Sequence, residues 1–167
     1  IERKGLSSLL KALSTLDAGK DWILWIEGGG PQLQKYINMA DNYGIAKHCR
    51  FLGFCQYDVH SWLLRSANIV IVPSLQDNWG IVVDEGLQLG KLVISSNATG
   101  SCCDRIEHGV NGYSYHAGNF QELANLIRIS LDSEYLRNKL GHVAKNSHRN
   151  IKPLNNLNTL LAIVKGV

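Results

Sequence analysis

Ile69-Val70-Ile71-Val72-Pro73-Ser74 leads through a short loop into Asp77-Asn78-Trp79-Gly80, and one helix length later comes Leu92-Val93-Ile94-Ser95. Four β-branched residues in a row, halted by a proline, describe a strand buried on both faces. The stretch from Gly80 to Leu89 has the length and apolar spacing of a helix. Strand, helix and second wholly apolar strand in that order predict a parallel βαβ unit.

The same alternation extends to either side. Trp22-Ile23-Leu24-Trp25-Ile26 is an apolar run ending at Glu27 and the Gly28-Gly29-Gly30 turn. Pro31 suits the first position of a helix carrying Leu33, Ile37 and Ala40. Arg50-Phe51-Leu52 is a weaker strand closed by Gly53, followed by the helical stripe Val59, Trp62, Leu63 and Ala67. Tyr113-Ser114-Tyr115 is a short last strand after the Asn111-Gly112 turn. Asn119 with Glu122 resembles a capping box opening a helix with Phe120, Leu123, Ile127 and Leu131 on one face, and Ser133 caps another helix running to about Asn146. Pro153 opens a C-terminal helix over 153–167 with Leu154, Leu157, Leu161 and Val164. The pattern predicts an α/β fold with a doubly wound, Rossmann-like parallel β-sheet covered by helices on both faces. Trp22, Trp25 and Trp62 read as core, whereas Trp79 stands in a loop.

The chain of 167 residues and 18.5 kDa fits one domain spanning 1–167. Its 45% hydrophobic and 19% charged residues exclude disordered and fibrous classes. Seventeen Lys and Arg against fourteen Asp and Glu give +3, too slight a bias to indicate nucleic acid as a partner. No apolar run approaches the ~20 residues of a membrane span. Cys49 and Cys55 lack zinc-clip spacing and the adjacent Cys102 and Cys103 resist disulfide geometry, so the four read as reduced thiols of an intracellular protein. His60, His108 and His116 lie scattered over turns and helix starts, and His48, His142 and His148 lie beside basic residues; each reads as an ordinary surface histidine. Lys139, His142, Lys145, His148, Arg149 and Lys152 form a basic helix face, solvated or turned to an anionic membrane surface. The Leu9, Leu10, Leu13, Leu16 stripe begins almost at residue 1 with no strand before it. Since βαβ units begin with a strand, the chain reads as a piece of a longer protein, taken just after a strand and its loop.

In open α/β sheets ligands bind beyond the carboxyl ends of the strands, over helix N-termini. Gly28-Gly29-Gly30-Pro31 is one such junction, although it matches neither the dinucleotide fingerprint nor a P-loop. Asp77-Asn78-Trp79-Gly80 is richer. The amides of Gly80, Ile81 and Val82 would sit at the positive end of a helix dipole and suit a pyrophosphate. Glu85, further along, could accept two hydroxyls of a diol. The plain alternative stays open: Asp77 as a helix-start acid and Glu85 as a surface residue.

Several segments in order resemble the C-terminal, donor-binding domain of a GT-B glycosyltransferase of family 4 (glycosyl transferases group 1). They are Ala67-Asn68-Ile69-Val70-Ile71-Val72-Pro73-Ser74, Asp77 through Gly86, and Gly90-Lys91-Leu92-Val93-Ile94-Ser95. The flanks Arg3-Lys4-Gly5, Gly28 to Pro31, Phe51-Leu52-Gly53, Gly100 to Ile106 and Gly109 to Tyr113 match the family as well. The resemblance runs from residue 3 to about residue 125. It implies a retaining, hexosyltransferase-type enzyme that moves a sugar from a nucleotide-diphosphate sugar, most simply a UDP- or GDP-sugar, to an acceptor. Lys4 would contact the donor diphosphate, and Gly80, Ile81 and Val82 would give it backbone N–H groups. Asp77 would face the donor sugar beside the amides of Asn78 and Trp79, Glu85 would hold the ribose hydroxyls, and Gly53, Phe54 and Gly30 would border the base. Lys4 and Asp77 are thereby the candidate catalytic residues. No cofactor and no metal is implied. The expected partners are the nucleotide-sugar, an acceptor-binding N-terminal domain in cis and a saccharide or lipid-linked acceptor. The expected setting is the cytoplasm, extending to the inner face of the membrane, in bacterial surface polysaccharide or lipopolysaccharide synthesis.

The chain departs from the family pattern at several positions. Asp77 stands where Glu is usual, Trp79 replaces Phe, Gly86 replaces Ala, Leu92 replaces Pro, Ser101 replaces the second glycine and Asp104 is the loop acid. The family's phosphate-binding arginine has no counterpart before Lys4 beyond Arg3. The expectation for the isolated domain is donor binding without turnover. The rival reading is a non-catalytic nucleotide-binding module on the same fold. A GT-B epimerase would need a histidine near the sugar that the matched segments lack.

Overall fold

Apolar runs become strands where the alternation places them, and the strand pairs among the described residues are parallel. The computed structural model describes residues 2–16 and 21–149. Strand β1 (Leu24–Glu27) pairs with β2 (Cys49–Gly53), while β3 (Ile69–Val72), β4 (Leu92–Ser96) and β5 (Tyr113–Tyr115) form a second sheet in the order β3-β4-β5. Helices α1 (Leu6–Leu13), α2 (Leu33–Asn42), α3 (Tyr57–Ser66), α4 (Ile81–Gln88), α5 (Gly100–Arg105), α6 (Phe120–Asp132) and α7 (Glu134–Arg149) fill the connections and the C-terminal third. The helix expected over 153–167 lies outside the described residues.

All five residues of β4 are buried, and alternate ones serve opposite faces. Leu92 and Ile94 join Leu10 of α1 and Leu123 and Ile127 of α6 in one cluster. Val93 joins Val70 and Val72 of β3 with Val83 and Leu87 of α4 in the other. This two-sided burial is the reason the strands read as unbroken apolar runs, and each such side chain contributes roughly 1.5–3 kcal/mol. Helix α6 begins as its capping pattern predicts, the Asn119 side chain accepting from the Glu122 amide at 3.1 Å. The Glu122 carboxylate instead turns back to the His116 amide at 3.0 Å. Ser133 caps α7 through the Leu136 amide at 3.1 Å.

The doubly covered parallel arrangement is divided. Among the described residues β1 and β3 share no hydrogen bond, and each presents an unpaired edge to a cleft of about 800 Å³ walled by Leu24, Ile26, Ile69 and Ile71. Three expectations need correction here. Trp62 is 58% exposed and Trp25 38% exposed, their rings meeting at 5.6 Å beside this opening, so neither is core. Apolar spacing marks which face of an element is greasy but not whether another element covers it. Trp22, by contrast, packs against the core as expected, half-buried and stacked on His48 at 4.4 Å. Helix α2 starts at Leu33 rather than at Pro31, which lies in the preceding turn.

Candidate functional site

The carboxyl ends of β1 and β3 open at the same mouth of the cleft, lined there by Lys4, Glu27, Gly28 to Gly30, His60, Ser74, Asp77 and Gly80 to Val82. Gly80 caps α4 with φ of 76°, a left-handed conformation, and a Cβ there would lie 2.3 Å from Thr99 Cγ2. Only glycine meets both demands. The first intrahelical closure is the Val83 amide to the Gly80 carbonyl at 2.9 Å. The Ile81 and Val82 amides therefore open the first turn with no helical carbonyl behind them.

The loop before α4 is held from the far side. Asp77 N donates to Ala98 O at 3.0 Å, Gly100 N to Asp77 O at 3.1 Å and Ser101 N to Trp79 O at 2.8 Å. The Ser101 hydroxyl adds bonds to the Trp79 and Gly80 carbonyls. A glycine at 101, as the family pattern has it, could not make them. Trp79 itself is anchored, its indole N–H donating to Asp84 at 2.7 Å while Arg105 lies over the ring at 5.4 Å.

Lys4 and Asp77 meet directly, Nζ to Oδ2 at 2.6 Å, and Ser74 Oγ lies 3.5 Å from the same oxygen. The two are brought together because Leu75 and Gln76 donate their amides to the Arg3 carbonyl, tying the N-terminal turn to the end of β3. Burial pushes the Asp77 carboxyl up. The Lys4 hydrogen bond and charge, the Trp79 amide and Arg3 together outweigh that and hold it below the usual carboxylate value.

Glu85 does not stand alone. Its Oε2 lies 3.1 Å from His60 Nε2, and His60 Nδ1 lies 2.6 Å from Glu27 Oε2. The expectation of His60 as an ordinary surface histidine is thus corrected: its side chain is 18% exposed and bridges two carboxylates. Glu27 and His60 are the site residues that the sequence did not disclose. The one available signal was an acid placed directly at a strand's carboxyl end. The pairing register shifts between Ile26 and Glu27, where Leu52 of β2 is the extra residue left without a partner on β1.

Of the other sequence-derived candidates, Gly30, Gly80, Ile81 and Val82 line the cleft with Lys4 and Asp77. Gly53 ends β2 and accepts from the Gly28 amide at 2.7 Å. Phe54 is 83% exposed and Asn78 is exposed on the loop. All four cysteines are free thiols, and among the described residues no group of three or more His, Cys, Asp or Glu side chains is arranged to hold a metal. No helix among them is long and apolar enough to cross a membrane.

Fold and cleft together define a Rossmann-like α/β domain that presents a glycine-capped helix N-terminus, a lysine–aspartate pair and a histidine between two carboxylates around one mouth. The family model described as glycosyl transferases group 1 matches residues 1–147, and the chain belongs to that family. It is 27% identical over 140 residues to a lipopolysaccharide core biosynthesis glycosyltransferase of Rhizobium meliloti, covering 84% of this chain and 39% of the relative. The crystal structure of Anabaena HepE in complex with UDP superposes with a TM-score of 0.83 at 24% identity, covering 99% of this chain and 46% of that one. The solved C-terminal domain of a group 1 glycosyl transferase from Francisella tularensis gives a TM-score of 0.77 at 23% identity over 87% of this chain and 78% of that one. Four curated relatives are matched over 31%, 35%, 39% and 40% of their own lengths, so the chain corresponds to well under half of each.

Proposed function

We propose that this chain is the donor-binding half of a retaining, family 4 glycosyltransferase that moves a hexose from a nucleotide-diphosphate sugar to a saccharide or lipid-linked acceptor. The observation that carries the reading is the Gly80-capped start of α4, which opens onto the cleft beside Lys4. The diphosphate lies on the amides of Gly80, Ile81 and Val82 with Lys4 Nζ against it, where helix dipole and ammonium favour negative charge. Glu85 accepts the ribose hydroxyls. Asp77 and the neighbouring Asn78 and Trp79 amides face the sugar, and the Gly30 turn with Gly53 and Phe54 borders the base. As the glycosidic bond breaks, charge grows on the leaving diphosphate, and Lys4 with the helix amides stabilises it. The acceptor attacks from the face the diphosphate leaves, and the diphosphate assists removal of the acceptor proton.

The acceptor side belongs to a further domain, so this chain binds donor without turning it over. The lipopolysaccharide role of the Rhizobium relative and the UDP bound to Anabaena HepE support a UDP-sugar and a role in bacterial surface polysaccharide synthesis, in the cytoplasm or at the inner face of the membrane. Thermal shifts against UDP, GDP, ADP, CDP and their sugar conjugates test the reading. A nucleotide at 100 times its Kd adds about 2.7 kcal/mol, roughly 5–10 °C. The expected result is a shift with one base, mostly lost in Glu85→Ala. No shift with any of them at millimolar concentration removes the proposal.

A further inference from the structure

His60 sits in the first turn of α3 and reaches two other elements at once, Glu27 at the end of β1 and Glu85 on α4. Its position matters because both ring nitrogens face carboxylate oxygens. A neutral imidazole has one N–H and one bare lone pair, so it can donate to only one of the two. The bare nitrogen would then oppose an oxygen that has no proton to give. Both contacts are hydrogen bonds only when the ring carries both protons, and the 2.6 Å contact to Glu27 has the length of a charge-assisted bond.

We propose that His60 is a positioning residue for Glu85, and that the Glu27–His60–Glu85 bridge makes nucleotide binding at this site weaken as pH rises. The proposal rests on the reading of Glu85 as the acceptor of the ribose hydroxyls. His60 takes Oε2 of Glu85 and leaves Oε1, together with the second lone pair of Oε2, for a diol. A carboxylate held by one oxygen has lost the rotation it would otherwise lose on binding.

The groups facing His60 are Glu27 from β1 and Glu85 from α4. Cys55, in the turn before α3, shares the field: burial pushes its thiol up, and the charge of Glu27 adds to that. The Glu27 hydrogen bond is the largest influence on His60. Burial opposes it, and the Glu85 bond and the charges of both carboxylates add to it, so the imidazolium persists above its usual value of about 6.5. Below that raised value both carboxylates are held. As pH climbs through it one bond is lost, and the remaining proton stays on the shorter, Glu27 side. Glu85 is then released, and the charge of the trio goes from −1 to −2 at the mouth that must admit a diphosphate. Both effects weaken binding.

The test is UDP affinity by calorimetry from pH 5.5 to 8.5 on the protein, His60→Gln and Glu27→Gln, with the His60 ring titration followed by NMR. The terminal phosphate of UDP titrates near pH 6 in every case, and the ratio of variant to parent Kd removes it. For His60→Gln, whose amide gives Glu85 a neutral bond at every pH, that ratio is expected to be about fivefold at pH 5.5 and to fall below one at pH 8.5, where the parent has lost its bond. Glu27→Gln behaves oppositely. An amide at 27 can donate to Nδ1, so neutral His60 still gives its Nε2–H to Glu85, and tight binding persists to high pH. The His60 midpoint is expected to fall in Glu27→Gln. A His60→Gln protein that keeps the parental slope overturns the proposal alone, as does a Glu27→Gln protein that loses affinity with pH as the parent does. Failure of UDP and the other nucleoside diphosphates to bind the parent at any pH overturns the ribose reading and this proposal with it, even if the His60 midpoint is raised.

Discussion

Gly5→Ala is expected to lower the stability of the protein by about 3 kcal/mol or more, whereas Gly44→Ala costs about 1–2 kcal/mol. The two glycines share a φ of 69°, so the backbone penalty of placing alanine in the left-handed region is common to both. What differs is the surroundings. A Cβ on Gly44 meets nothing within 4 Å, while one on Gly5 would lie 1.8 Å from the Pro73 carbonyl oxygen. That atom is backbone, at the end of β3, and no rotamer change moves it aside. Relief requires separating the N-terminal turn from β3, which also breaks the Leu75 and Gln76 bonds to Arg3 and carries Lys4 away from Asp77. Urea denaturation of the two variants beside the parent measures the difference. Equal losses would mean that the contact between Gly5 and Pro73 contributes nothing to the fold.

Lys4→Ala should weaken nucleoside diphosphate binding by roughly 10- to 100-fold, the worth of hydrogen bonds to a charged group, while leaving the melting temperature nearly unchanged. The small stability effect follows from exposure. The Lys4 side chain is 52% exposed, and an ion pair so open to water is worth little to folding. The large binding effect follows from where its charge points, into the mouth beside the start of α4. The Asp77 carboxylate at 2.6 Å competes with a diphosphate for the same ammonium. Asp77→Asn is therefore expected to tighten UDP binding. Calorimetry on the three proteins separates the cases, and an unchanged affinity in Lys4→Ala would remove this lysine from the phosphate site.

The strands and most helices were legible because their causes are local or nearly so. Ile69 to Val72 and Leu92 to Ile94 announce two-sided burial by having no polar residue, and Asn119 and Ser133 cap through bonds three residues away. Helix α5 was not read as a helix. Gly100-Ser101-Cys102-Cys103 has weak intrinsic preference, and the turn is set by Thr99, Asn78 and Trp79 packing against it. At the site, Gly80, Ile81, Val82, Lys4 and Asp77 were found by motif and are brought to one mouth. His60 was not, since nothing within α3 marks a histidine that meets β1 and α4 only after all three have docked. The same limit explains Trp62, whose stripe spacing is sound but whose face opens on the divided sheet.

That division reaches down to individual amide protons. In a strand, successive N–H groups point to opposite sides, so along Ile69–Val72 every other one is bonded into β4 and the rest face the opening between the sheets. Protection against hydrogen exchange should accordingly alternate residue by residue along β3, where a strand flanked on both sides would be slow throughout. On β4, slow exchange should instead run on without a break through Ile94 and Ser95, which have strand partners on either side. The slowest-exchanging part of the molecule then lies one strand in from the opening, and the β3 edge is the more easily opened of the two.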